Sequence, residues 1–155
     1  GGSGDDILSG STAWSSSSDR DSDRQQAAND SGNDTDDKLY GEAGNDLLIG
    51  TIGDNILDGG TGTDTIYSGN GLDTIVTRTG DGGSSLSDAD VVVDFTDGSD
   101  IVGLSGLNYS DLTVKQGTGS YSSHVVVQET STGEFLLIIQ NQNISNINDN
   151  DFSAI

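Results

Sequence analysis

The sequence predicts an all-β fold: a parallel coil wound from nine-residue repeats, followed by a β-rich C-terminal cap. Three observations predict it. A large aliphatic residue recurs at every ninth position through residues 32–76. Glycine and aspartate fill most of the positions between those aliphatics. After residue 88 the period gives way to short alternating and continuous β-branched runs, the pattern of ordinary strands.

The repeat comes first. Five nonapeptides, GNDTDDKLY, GEAGNDLLI, GTIGDNILD, GGTGTDTIY and SGNGLDTIV, run without a gap from Gly32 to Val76. A sixth, GGSGDDILS, occupies Gly1 to Ser9. The shared template is G-G-x-G-x-D-x-U-x, where U is aliphatic. Position 2 is Gly2, Gly60 and Gly69, with Asn33, Glu42 and Thr51 in the other copies. Position 4 is Gly4, Gly44, Gly53, Gly62 and Gly71, with Thr35 as the departure. Position 6 is Asp6, Asp37, Asp46, Asn55, Asp64 and Asp73. Position 8 is Leu8, Leu39, Leu48, Leu57, Ile66 and Ile75.

Each position has a physical reason. Glycine reaches positive φ, so the first six residues can form a tight turn with carbonyls directed inward. The position-6 carboxylate adds a hard anionic oxygen. Ca²⁺ takes six to eight such oxygens from carboxylates and carbonyls. The last three residues make a short strand whose middle aliphatic faces the core. Two nonapeptides make one coil, so turns two repeats apart stack on the same side. Coils stack about 4.8 Å apart. Two carboxylates at that spacing repel by roughly 3 kcal/mol at an effective dielectric near 20. One buried aliphatic in nine residues offers too little apolar surface to offset both that repulsion and the ordering of the backbone. The repeats are therefore expected to fold only when several Ca²⁺ ions bind, so that metal binding is folding free energy. The expected ligand positions are Gly2, Gly4, Asp6, Asp37, Gly44, Asp46, Gly53, Asn55, Gly60, Gly62, Asp64, Gly69, Gly71 and Asp73. Sites between repeats 41–49 and 59–67, and between 50–58 and 68–76, are expected to be the most complete. Asn55 keeps an oxygen but lacks the charge.

Composition narrows the partners. The 155 residues carry a formal net charge of −21 from 26 acidic and five basic side chains. The acids are Asp except for Glu42, Glu129 and Glu134, which points to turns and metal ligation rather than to a helical acidic face. Such a surface repels nucleic acid and anionic membranes, and its natural partner is a cation. No Cys is present, which excludes disulfides and thiolate chemistry. No apolar run is long enough for a transmembrane helix. Met is absent even at residue 1, and the chain is read as part of a longer protein.

The flanks differ from the repeats. Residues 10–31 are a Ser-rich insertion that contains Trp14, read as a mobile loop with a helical turn or two after Asp19. Residues 1–87 form the expected coil with that insertion, and residues 88–155 the β-rich cap. Strands are expected at Leu112–Val114, His124–Gln128 and Phe135–Ile139, with a turn at Ser131–Gly133. The cap covers the open end of the coil, as repeat arrays require.

The nonapeptides closely resemble the RTX (repeat-in-toxin) family, whose fold is the calcium-bound parallel β-roll. The stretch from Asp90 to Leu104 is similar to the segment that follows the roll in serralysin-type proteases and alginate epimerase R-modules. The ending DNDFSAI resembles the C-termini of type I-secreted RTX adhesins and exoenzymes. The resemblance implies a secreted or cell-surface protein of a Gram-negative bacterium, exported C-terminus first by the type I secretion machinery. It places an uncleaved secretion signal on about Asn141 to Ile155. Within the same stretch, Asp90, Asp94, Asp97 and Asp100 are candidates for one further Ca²⁺, with turn formation and end-capping as the other reading.

Catalysis is not expected in this chain. His124 is the only His and sits beside Val125–Val127 in a strand-like run, with no nucleophile-elbow motif around it. The leading function is a calcium-dependent folding and secretion module. The alternative is a calcium-dependent ligand-binding module, for polysaccharide or ice, as in an adhesin or an epimerase R-module. Thr61, Thr63 and Thr65 cluster in one repeat but do not recur as an ice-binding ladder would. Lys38, Arg78 and Lys115 are few for an anionic polysaccharide.

Overall fold

The computed structural model describes residues 1–9 and 36–155. The insertion at 10–31 with Trp14, and the first residues of the Gly32 repeat with Thr35, lie outside the described residues.

Each described repeat ends in a three- or four-residue strand centred on its aliphatic. These strands are β2 (Ile7–Ser9), β3 (Lys38–Tyr40), β5 (Leu47–Ile49), β6 (Ile56–Asp58), β7 (Thr65–Tyr67) and β8 (Thr74–Thr77). Two short strands, β1 (Gly2–Ser3) and β4 (Glu42–Ala43), pair within the stacked turns. Alternate repeats then pair in parallel. Leu39 stands opposite Leu57 and Leu57 opposite Ile75; Leu48 stands opposite Ile66. The offset is eighteen residues, which is two nonapeptides per coil. Leu8 stands opposite Leu48, forty residues on, because the insertion adds its twenty-two residues to one coil.

The coil does not stop with the period. β9 (Asp90–Val92) joins β7 with Val92 opposite Ile66, and β10 (Ile101–Leu104) joins β8 with Val102 opposite Ile75. Two sheets result. One has the order β14-β10-β8-β6-β3, closed by β14 (Phe152–Ala154). The other has the order β11-β12-β13-β9-β7-β5-β2, closed by an antiparallel meander of β11 (Leu112–Gln116), β12 (Val125–Glu129) and β13 (Phe135–Ile139). The three strands expected in the meander are present: Phe135–Ile139 as expected, and the other two with ends moved by one or two residues. Glu129 accepts hydrogen bonds from Ser131 and Thr132 and closes the turn between β12 and β13.

The core is two rows of stacked apolar side chains. Leu39, Leu57, Ile75, Val102 and Phe152 form one row; Leu48, Ile66, Val92 and Ile139 form the other. All belong to a single buried cluster, with Leu8 packed partly buried against it. Side chains alternate across each strand, so one aliphatic in three residues is enough to fill the space between sheets. The flanking residues then remain free to carry the turns.

The turns need the glycines for two reasons. At positions 2 and 4 the backbone is left-handed, as at Gly60 (φ 87°) and Gly62 (φ 140°). Glu42 (φ 72°) and Thr51 (φ 77°) hold the same conformation with a side chain, at a cost in strain. Coils also approach closely: a Cβ on Gly62 would lie 1.7 Å from the Gly44 carbonyl oxygen.

Candidate metal centre

Position 6 lines two ladders, one on each side of the roll. On the first side Asp6 N–H donates to Asp46 Oδ1 (2.6 Å), Asp46 N–H to Asp64 Oδ1 (2.7 Å) and Asp64 N–H to Asp90 Oδ1 (2.8 Å). On the second side Asp37 N–H donates to Asn55 Oδ1 (2.9 Å), Asn55 N–H to Asp73 Oδ1 (2.8 Å) and Asp73 N–H to Asp100 Oδ1 (3.3 Å). Each turn thus uses one carboxylate oxygen to hold the previous coil in register. A second ladder runs outside it in the opposite sense: Asn45 N–H donates to Asp5 Oδ1, Thr63 N–H to Asn45 Oδ1, Asp54 N–H to Asp36 Oδ1 and Leu72 N–H to Asp54 Oδ1. These position-5 residues were not singled out from the sequence, although Asp or Asn at four of the six copies was the available signal.

The second oxygen of the position-6 carboxylate is the metal candidate. Oδ2 of Asp46, Asp64 and Asp73 is buried without a hydrogen-bond partner. A buried carboxylate oxygen left this way is costly unless a cation meets it. The adjacent space is lined by oxygen. A Cβ on Gly41 would lie 2.6 Å from Asp46 Oδ2 and 2.4 Å from the Gly59 carbonyl oxygen. At Gly1 the corresponding neighbours are Asp6 Oδ2 and the Gly41 carbonyl oxygen, at 2.5 and 2.8 Å. The same pair of oxygens therefore converges at successive turns on the first side, and a carboxylate with a carbonyl is the kind of oxygen donor that calcium takes. No group of three or more His, Cys, Asp or Glu side chains is gathered as a metal cage among the described residues. A turn that supplies one carboxylate and several carbonyls would not produce such a group.

Burial disfavours the charged form of these carboxylates, which a bound cation would favour. It pushes Asp64 up to about 6 and Asp90 up to about 9, against the N–H bonds from Asp46 and Asp64 that pull the other way. Asp46, Asp73 and Asp100 are also raised, chiefly by burial.

Asn55 departs from the expectation. Its oxygen is taken by Asp37 N–H, so its amino group points into the turn. There Nδ2 donates to the Gly53 carbonyl oxygen (2.9 Å) and to Asp73 Oδ1 (3.0 Å). The oxygen it retains is not offered to the inside of the turn.

Of the four candidate acids between Asp90 and Asp100, Asp94 and Asp100 meet at the Ser68 hydroxyl, whereas Asp90 and Asp97 stand apart from them. Asp90 and Asp100 continue the two ladders. Asp100 Oδ2 accepts from Thr96 N–H, and Asp94 accepts from Ser68 N–H and Gly69 N–H; Ser68 Oγ lies 3.1 Å from both carboxylates and donates its one proton to either. Asp97 is exposed on the turn between β9 and β10. The oxygens of Asp94 and Asp100 accept from N–H and O–H donors in this geometry, the bonding that the end-capping reading expects.

The first side is closed by a group that the sequence did not announce. Arg78 pairs with Asp58 and, at 3.6 Å, with the buried Asp81. Asp81 is pushed up to about 6, mainly by burial, with Arg78 opposing the shift. Glu134 accepts from Gly80 and Gly82 N–H and ties this loop to the meander. His124 precedes β12; its Nδ1 accepts from Asn141 N–H at 3.1 Å, and its ring packs edge-on to Tyr121.

Comparison with known proteins agrees with this geometry. Residues 1–12, 31–66 and 49–83 match the RTX calcium-binding nonapeptide repeat, in four copies. No curated protein matches the sequence. Among solved structures the chain is similar to the AlgE6R3 subunit of the Azotobacter vinelandii mannuronan C5-epimerase, with 20% identity and a TM-score of 0.65 over 99% of this chain and 80% of that one. It is similar to the extracellular lipase LipA from Serratia marcescens, with 18% identity and a TM-score of 0.61 over 98% of this chain and 20% of the lipase. It is also similar to the AlgE6R2 subunit of the same epimerase, with 23% identity and a TM-score of 0.56 over 76% of this chain and 86% of that one. The chain carries RTX calcium-binding repeats and folds as a parallel β-roll.

Proposed function

We propose that this calcium-binding β-roll is a non-catalytic module for calcium-dependent folding and type I secretion, at the C-terminal end of a larger extracellular RTX protein. The observation that carries this reading is the buried, unpartnered carboxylate oxygens at Asp46 and Asp64 on one side of the roll and at Asp73 on the other. A fold that buries them is unfavourable without a cation and favourable with one. At low cytosolic calcium the chain stays open for export; at millimolar extracellular calcium it folds. Bound calcium would be held by position-6 carboxylates and turn carbonyls, where it supplies the positive charge that lets neighbouring carboxylates stack.

Far-UV circular dichroism tests the folding half. The chain is expected to be disordered in EDTA and β-like near ~1 mM Ca²⁺, the range of extracellular modules. A β spectrum unchanged by EDTA would refute it. Export of a fused passenger with and without residues 141–155 tests the secretion half. Equal export would remove the signal from that segment.

A second reading, calcium-dependent binding of a polysaccharide, draws on the likeness to subunits of an enzyme named for mannuronan. Two of the three basic side chains of the roll and cap are already engaged, which speaks against direct recognition of a polyanion. Arg78 is engaged by Asp58 and Asp81, and Lys115 by Gln128 and the Phe135 ring. A glycan array with and without EDTA separates the two readings.

A further inference from the structure

We propose that the amide of Asn55 takes the place of a calcium ion, so that the roll has one turn pair pinned without metal. The inference rests on the calcium reading above and concerns one position within it. At the turns headed by Gly1 and Gly41, the space beside the position-1 glycine meets Oδ2 of the position-6 aspartate and the position-1 carbonyl of the next coil. At the turn headed by Gly50 it meets the Ser68 carbonyl oxygen at 2.2 Å, as before, but Asn55 Nδ2 at 3.0 Å instead of an oxygen.

The orientation of that amide is set by its neighbours. Asp37 N–H is a donor 2.9 Å from one terminal atom, which must therefore be the oxygen. The other terminal atom is then the NH₂ group. Its two protons meet the Gly53 carbonyl oxygen and Asp73 Oδ1. These are the position-4 carbonyl and the position-6 carboxylate of the following coil, the kinds of oxygen a calcium ion would join. A calcium ion at about 2.3–2.6 Å from both oxygens would occupy the volume of the amino group. One amide thus supplies, by hydrogen bonds, the cross-link that the ion supplies elsewhere. It also leaves Asp73 Oδ1 well satisfied, with the Asn55 N–H bonding the same atom.

The two sides of the roll are consequently unequal. The Asp6–Asp46–Asp64 side is held by metal, whereas the 50–55 and 68–73 turns are joined by protein alone.

Counting ions tests this. Native mass spectrometry of the whole chain in saturating calcium, with circular dichroism as the check of folding, is applied to wild type, Asn55→Asp and Asn55→Ala. Asn55→Asp is expected to bind one ion more than wild type. Asn55→Ala is expected to bind the same number, with a several-fold higher calcium midpoint because the amide bridge is gone. An unchanged count in a folded Asn55→Asp, or one ion fewer in Asn55→Ala, would overturn the inference and make Asn55 a spectator or a ligand. If Asn55→Asp does not fold, the count in Asn55→Ala decides. Absence of calcium from the wild type would instead defeat the calcium reading itself.

Discussion

Asp46 donates its backbone N–H to Oδ1 of Asp64, eighteen residues further on, and Asp64 Oδ2 is left buried with no partner. One carboxylate therefore has two tasks: one oxygen sets the register of the coils, and the other waits for a cation. The two can be separated by mutation. Asp64→Asn keeps an oxygen for Asp46 and replaces the free one with an amino group. The calcium midpoint should rise by about tenfold or more, equivalent to at least ~1.4 kcal/mol. Asp58→Ala, which removes the partner of Arg78 instead, should leave the number of bound ions unchanged. Calcium titration followed by circular dichroism and ion counting reads both; equal ion counts for the two variants would mean that position 6 is not the ligand position.

Gly41→Ala should damage the roll through space alone. Its Cβ would lie 2.4 Å from the Gly59 carbonyl oxygen and 2.6 Å from Asp46 Oδ2. Overpacking of this kind costs about 1–3 kcal/mol, and here it also intrudes on the metal space. Urea unfolding in saturating calcium should show that loss; wild-type stability would mean that the coils are not this close.

Glu42→Gly should have the opposite effect. Glu42 is exposed and holds φ at 72°, where glycine is unstrained. Relief of that strain should stabilise the calcium-bound roll by about 1 kcal/mol. A destabilised variant would show that the Glu42 side chain contributes more than its backbone costs.

Acid should help the metal-free chain and hinder the metal-bound one. Burial raises Asp64 and Asp81 to about 6 and Asp90 to about 9, above their ordinary value of 3.8. A raised carboxylate binds its proton more tightly in the folded state. Its contribution to stability is complete below the unfolded value and is lost as the pH rises through the folded one. In EDTA, β-structure should therefore grow as the pH is lowered from about 9 toward 4. In calcium, protons compete with the ion and the midpoint should rise as the pH falls through about 6. A pH series of circular dichroism spectra with EDTA, repeated with calcium, checks both signs.

The segment after Val76 should be needed for the roll. Asp90 and Asp100 supply the last carboxylate oxygens of the two ladders, to Asp64 N–H and Asp73 N–H. β9 and β10 cover strand edges that would otherwise be open. Truncation after Arg78 should abolish or strongly weaken the calcium-induced transition, and Asp90→Ala should destabilise by about 1–3 kcal/mol by orphaning a buried N–H. An unchanged midpoint for residues 1–78 would show that the roll folds without these closing strands.

Much of this was readable in the chain because the repeat is local. An aliphatic at position 8, an acid at position 6 and glycines at positions 2 and 4 recur at fixed spacing, and the period of eighteen for one coil follows. That Leu48 faces Ile66 and that Asp46, Asp64 and Asp73 present oxygen to the turn interior are consequences of period and chemistry. Asp90 and Asp100 were harder to place. They stand twenty-six and twenty-seven residues beyond their ladder partners instead of eighteen, so the coil period does not lead from Asp64 and Asp73 to them. The pairing of Arg78 with Asp58 and Asp81 was equally hidden, since it depends on how an irregular loop closes over the last regular turn.

The sequence by itself determined the coil, its repeat length, its core rows and its demand for a cation, because each depends on residue type at a regular interval. The tertiary structure alone decided the direction of each polar group. Whether Asn55 turns its oxygen or its amino group inward depends on the N–H of Asp37, one coil before it, and on Asp73, one coil after it. Hydrogen bonds are directional and their partners lie eighteen residues away, so only the stacked coils could settle which atom faces the metal space.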